Sequence, residues 1–119
     1  VATGKNRRGL DRVIAKTQST HLFDVTRAAN ETRSKPDPLM LQEILTVTGV
    51  NVERAVMIGD SSYDLEMAQR LGMPRIGVGY GVHSVEVLQK FQPLTIAKDV
   101  QELHSCLRGY AQLSTVDVA

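Results

Sequence analysis

Ala55-Val56-Met57-Ile58-Gly59-Asp60-Ser61-Ser62-Tyr63-Asp64 is the stretch that decides the fold. A short apolar run ends in a glycine and a cluster of polar residues. A run of this length, closed by a turn, reads as a strand buried on both faces, the kind that parallel sheets contain. Ser61-x-x-Asp64 has the spacing of a capping box, so a helix opens there and stops at Gly72. Asp60 and Asp64 then both belong to the turn beyond the carboxyl end of a buried strand, where ligands sit in open α/β sheets.

Downstream the alternation continues. Arg75–Val78 is the next strand, and Gly79-Tyr80-Gly81 is a loop. Ser84–Lys90 is a short helix, and Leu94–Ile96 is a last strand. Asp99-x-x-Glu102 caps a final helix with Leu103 and Leu107 on one face. Upstream, Leu10, Val13 and Ile14 recur at helical spacing between Arg7 and Lys16, with Arg8, Arg12 and Lys16 opposite them. Leu22–Thr26 is a strand candidate, and Ala28–Ser34 is a loop. Asp37 caps a helix with Pro38 at its first position; that helix buries Leu41, Ile44 and Leu45 and stops at Gly49. Val1-Ala2-Thr3 reads as the end of a buried strand, so the sequence is expected to be an excerpt of a longer protein. Strands alternating with helices predict a parallel sheet with helices on both faces. The boundaries predicted are one core domain over 1–113 and a tail over 114–119.

The bulk properties narrow the function. The chain has 119 residues, a net charge of +1 and no Trp. Such a balance gives no electrostatic pull toward a polyanion, and there is little aromatic surface for base stacking, so nucleic acid is not expected as a partner. The Arg8, Arg12, Lys16 stripe reads as a solvated helix face. No apolar run is long enough to span a membrane. One cysteine, Cys106, excludes an internal disulfide and fits a reducing compartment, so a cytoplasmic location is expected.

The groups expected at the strand ends share one chemistry. Thr3-Gly4 offers a hydroxyl and a backbone N–H, Lys35-Pro36 offers a cation before a capped helix, and Asp60 and Asp64 offer carboxylates. Phosphoryl transfer needs such groups to grip phosphate oxygens, offset charge and hold Mg²⁺. Taken alone, Asp60 and Asp64 are as well explained as a helix cap and a first-turn acid; it is their register with Lys35 and Thr3 that favours chemistry. Gly4-Lys5 is not a P-loop, because Asn6 stands where Ser or Thr is needed. Gly77-x-Gly79-x-Gly81 lacks dinucleotide-fingerprint spacing. His21, His83, His104 and Cys106 have no metal-ligand spacing, and structural roles are expected for them.

Val1-Ala2-Thr3-Gly4-Lys5, Ser34-Lys35-Pro36-Asp37-Pro38 and Gly59-Asp60-Ser61-Ser62-Tyr63-Asp64 resemble, in order and interval, the second, third and fourth motifs of the haloacid dehalogenase (HAD) superfamily. The resemblance spans roughly residues 1–108 and is nearest the phosphoglycolate phosphatase-like branch. It implies a three-layer, Rossmann-like core that is incomplete here, without the central first strand and the cap. It also implies roles. Thr3 and the Gly4 N–H would hold the phosphoryl group, and Lys35 would neutralise phosphate and steady the nucleophile. Asp60 would bind Mg²⁺, and Asp64 would support the metal or pair with Lys35. Ser61 is left as a helix cap.

The family's nucleophile and its general acid–base lie in an upstream Asp-x-Asp. These 119 residues contain no Asp-x-Asp, and Asp24-x-Thr26 is no substitute. The resemblance therefore implies a piece of a Mg²⁺-dependent phosphatase of a small phosphorylated metabolite, inactive by itself. Its expected partner is either the missing N-terminal half or a second copy docked through Val56, Met57 and Ile58 or the helices beside them. The rival reading is a non-catalytic remnant that binds phosphate or a protein partner.

Overall fold

The computed structural model describes the backbone of residues 1–118 and the side chains of residues 1–110. The expected tail over 114–119 falls outside the residues whose side chains are described. The chain divides into two compact units, Val1–Asn51 and Val52–Ala119.

In the first unit, helix α1 spans Arg7–Thr17, as its periodicity predicts. The Asn6 side chain caps it by accepting the Gly9 N–H at 2.8 Å, and Gln18 ends it in a left-handed conformation. The strand predicted over Leu22–Thr26 does not form. A 3₁₀ turn occupies Thr20–Leu22, and pairing is confined to the end of the stretch, where the Val1 amine donates to the Val25 carbonyl at 2.8 Å and an isolated parallel bridge joins Ala2 to Arg27. The reason is lack of cover at its start: Leu22 is 66% and Phe23 39% exposed, so these two have nothing to be buried against, while Val25 is half-buried. A second 3₁₀ turn, Ala29–Glu31, lies in the predicted loop.

Helix α2 spans Leu39–Thr48, one residue later than predicted. Pro38 is its N-cap rather than its first residue, and Asp37 accepts the Leu39 N–H at 2.9 Å. Met40 and Leu41 are its buried residues. Ile44 and Leu45 are only half-buried, and Met40 escaped the sequence reading.

Arg7 holds this unit together locally. Its Nε donates to Glu31 Oε2 at 3.1 Å. Its Nη1 donates to Asp11 Oδ1 at 3.1 Å and to Thr26 Oγ1 at 2.9 Å. Its Nη2 donates to Glu31 Oε1 at 2.6 Å and to the Thr26 carbonyl at 3.2 Å. The planar fork thus ties the first turn of α1 to the Thr26–Glu31 segment. The Arg7 hydrogen bonds, helped by the Ala28 N–H, hold the Glu31 carboxyl below its ordinary pKa. A depressed carboxylate contributes stability that is present above the unfolded pKa and lost as pH falls through the folded one. Glu31→Gln is therefore expected to lower stability at neutral pH. The gap from the parent should close as pH drops below the carboxylate range. Denaturant titrations across that range measure it, and a pH-independent gap would contradict this account.

In the second unit, β1 (Met57–Gly59), β2 (Arg75–Val78) and β3 (Ile96–Ala97) form a parallel sheet in the order β1-β2-β3. Met57 pairs with Arg75, and Gly77 with Ile96. Helix α3 (Ser62–Leu71) crosses from β1 to β2, and α4 (Val85–Gln89) from β2 to β3. Right-handed crossovers between successive neighbours place both helices on one face, and α3 and α4 do touch each other and β2. Helix α5 spans Val100–Val118 and packs on β3. Asp99 caps it, accepting the Glu102 N–H at 2.7 Å. This is the α/β class that the alternation predicts.

The core of this unit is Leu65, Met67 and Ala68 from α3, Ile76 and Val78 from β2, Leu88 from α4 and Ala97 from β3. One expectation fails at β1. Gly59 faces α3, so Met57 does too, and Ile58 points to the opposite face, where it is 36% exposed. The strand is buried on one face rather than both.

Candidate active site

In the second unit the site is built at the carboxyl end of β1. The chain must turn from strand into helix within two residues, and Gly59 makes the turn possible. A Cβ at Gly59 would lie 2.3 Å from Asp64 Cβ, so only glycine lets the strand end against the first turn of α3. Ser61 is the N-cap of α3. Its Oγ accepts the Asp64 N–H at 3.3 Å and donates to Asp64 Oδ2 at 3.1 Å. Asp64 is 5% exposed. A carboxylate this deep is retained only where hydrogen bonds or charge compensate its lost hydration.

Asp60 is half-buried, and the loop after β2 closes on it. Val82 N–H donates to Asp60 Oδ2 at 3.1 Å. His83 N–H donates to the Asp60 carbonyl at 3.0 Å. Gly81 lies so close that a Cβ there would sit 2.2 Å from Asp60 Cβ. The imidazole of His83 reaches back to the same turn, its Nδ1 accepting the Ser62 N–H at 2.8 Å. The Tyr63 ring lies beside it, with centroids 5.9 Å apart. From sequence His83 is expected to have only a structural role. No spacing rule links residues 21 positions apart, and the only local signal was the Gly79-x-Gly81 turn that brings His83 back.

In the first unit, Thr3 follows the Ala2–Arg27 bridge, its N–H donating to the Arg27 carbonyl at 3.1 Å. Its Oγ1 accepts the Lys5 N–H at 3.1 Å, which folds Thr3-Gly4-Lys5 into a tight turn. Gly4 is exposed, and nothing lies within 4 Å of where its Cβ would be. Lys35 is half-buried in the turn before α2, where the Asp37 N–H donates to the Ser34 carbonyl at 3.1 Å. Thus Asp60, Ser61 and Asp64 share one turn of the second unit, and Thr3, Gly4 and Lys35 occupy two turns of the first.

Asp60 and Asp64 offer hard oxygen donors, which suit Mg²⁺. Among the described residues no group of three or more His, Cys, Asp and Glu side chains is placed to hold a metal. Such a donor set fits an ion that keeps several waters and takes one or two carboxylates together with a substrate phosphate.

Comparison with known proteins identifies the family. A family profile described as HAD-hydrolase-like matches residues 32–103, more than half of the chain, taking in Lys35, Asp60 and Asp64 but not Thr3 or Gly4. The chain is 27% identical to the phosphoglycolate phosphatase of Aliivibrio fischeri over 108 residues, covering 90% of this chain and 48% of that protein. It is 32% identical to the phosphoglycolate phosphatase of Rhodospirillum rubrum over 91 residues, covering 76% and 37%. The fold matches a HAD family hydrolase from Deinococcus radiodurans R1, solved with bound phosphate and sodium, at a TM-score of 0.82 and 19% identity; the match covers 92% of this chain and 51% of that one. The chain spans about half the length, or less, of the relatives it matches. Among the described residues no helix is long and apolar enough to cross a membrane. By profile, by relatives and by fold, this chain belongs to the HAD-like hydrolase family and corresponds to part of the core of its phosphoglycolate phosphatase-like branch.

Proposed function

We propose that this chain is the part of a Mg²⁺-dependent phosphomonoesterase that binds phosphate and metal, in a protein that works through an aspartyl-phosphate. The observation that carries the reading is Asp64, a carboxylate 5% exposed, one helical turn from an Asp60 whose carboxylate is fixed by a backbone N–H. A plain helix cap needs neither the depth nor the second acid. In this reading Thr3 and the Gly4 N–H hold phosphate oxygens, and Lys35 offsets their charge. Asp60 and Asp64 hold Mg²⁺, which when bound supplies positive charge against the phosphate. The substrate is a small phosphorylated metabolite, by likeness to the phosphoglycolate phosphatases, and the protein is proposed to be cytoplasmic, in keeping with its single cysteine.

The nucleophile is proposed to lie on a segment outside these residues, or to be supplied by a partner. Since the 119 residues hold no Asp-x-Asp, the chain alone should not hydrolyse an aryl phosphate with Mg²⁺ and should bind Mg²⁺ weakly. The whole protein should hydrolyse phosphomonoesters. Turnover by the isolated chain that disappears in Asp60→Asn would contradict the missing-nucleophile reading. No turnover by the whole protein, together with phosphate binding to the chain, would favour a non-catalytic remnant.

A further inference from the structure

Resting on that reading, we infer that His83 is the positioning residue for Asp60. Four contacts from one loop converge on the turn at the end of β1. Val82 N–H holds Asp60 Oδ2, His83 N–H holds the Asp60 carbonyl, Gly81 packs on the Asp60 Cβ, and His83 Nδ1 takes the Ser62 N–H. A bond to one carboxylate oxygen stops rotation about the Cβ–Cγ axis, so the other oxygen is presented in one direction. The bond that does this comes from Val82, an exposed loop residue at 75%, with Tyr80 nearby at 46%. The next residue ties this exposed loop to the helix. The half-buried imidazole joins the loop to the first turn of α3, satisfying a helix N–H that has no partner within the helix. Because Nδ1 accepts, the ring proton of the neutral side chain sits on Nε2.

Two conservative variants separate this role from simple packing. In His83→Asn the amide oxygen lies where Nδ1 lies and can accept the Ser62 N–H. In His83→Gln the amide lies a bond too far. Long-range proton–nitrogen spectra of the labelled 119-residue chain should show His83 as the Nε2–H tautomer. Amide exchange at Ser62 and at Val82 should rise about fivefold in His83→Ala and His83→Gln, the factor expected for losing one hydrogen bond of typical net strength. His83→Asn should restore both. In the whole protein, kcat on a phosphomonoester should fall in His83→Gln with KM unchanged and recover in His83→Asn. If Ser62 responds and Val82 does not, the imidazole caps a helix without holding Asp60, and the inference is overturned; failure of His83→Asn to restore either amide overturns it as well. A whole protein without phosphatase activity would overturn the proposed function alone, since the exchange pattern still decides on His83. Should His83→Ala not fold, the Asn–Gln comparison carries the test.

Discussion

Gly59→Ala is expected to destabilise the second unit by about 1–3 kcal/mol or more, the range for forcing extra volume into a packed site. The added methyl would meet three atoms of Asp64, at 2.3 Å for Cβ and 2.8 Å for Cγ and Oδ2. None can retreat cheaply. Asp64 Cβ is fixed by the backbone of α3, and the carboxylate is held by the Ser61 hydroxyl. Relief would require α3 to lift off β1, and α3 carries Leu65, Met67 and Ala68, all fully buried. Gly4→Ala is the matched control, because its methyl would enter open space and should change stability by no more than about 0.5 kcal/mol. Denaturant unfolding of the two variants measures the contrast. Equal stabilities would show that the strand–helix corner can open without cost.

That corner also explains what the sequence could reveal. Local rules write themselves into consecutive residues. Ser61 and Asp64 sit at capping distance, Gly72 and Gly49 end helices, and the apolar run before Gly59 marks a strand. The reading of α1, α3, β2 and the cap of α5 rests on such neighbours, and the structure agrees with it. The order of the three motifs made the family legible even with a short sheet. Contacts made over distance left no such trace. Arg7 was merely the first residue of a helix in sequence, because its partners Thr26 and Glu31 lie 19 and 24 positions away. His83 was one of three scattered histidines, because its partner lies 21 positions back. The Leu22–Thr26 strand failed for the converse reason. Its residues suit a strand, but strand propensity is a statement about fitting a half-buried surface, and Leu22 and Phe23 have none to fit. At β1 the apolar run predicts a strand, which forms, but it also predicts burial on both faces, and only one is buried. Burial of the second face depends on what covers Ile58, and no residue in the run encodes that.

Asp60→Asn is the substitution expected to separate fold from chemistry most widely. The side chain keeps its shape. Asn Oδ1 can still accept the Val82 N–H that Asp60 Oδ2 accepts at 3.1 Å, and the carbonyl that accepts from His83 is backbone and unchanged. Gly81 still meets the same Cβ. Stability should therefore shift by no more than about 0.5 kcal/mol, as for substitutions that break no structural feature. What is lost is the negative charge and one oxygen. An amide is a poor ligand for Mg²⁺, which favours charged, hard oxygens and holds its water tightly. If Asp60 binds the metal, the whole protein carrying Asp60→Asn should lose turnover by about 10²–10³-fold, the scale seen when one preorganised electrostatic group is removed from a reacting centre. Asp60→Ala should lose turnover as well, and should also free the Val82 amide, so that exchange there rises where Asp60→Asn leaves it unchanged. Thermal melts, amide exchange and phosphomonoester kinetics on the two variants decide it together. Full turnover in Asp60→Asn would mean that this carboxylate only shapes the turn, and the metal-binding role proposed for it would have to be abandoned.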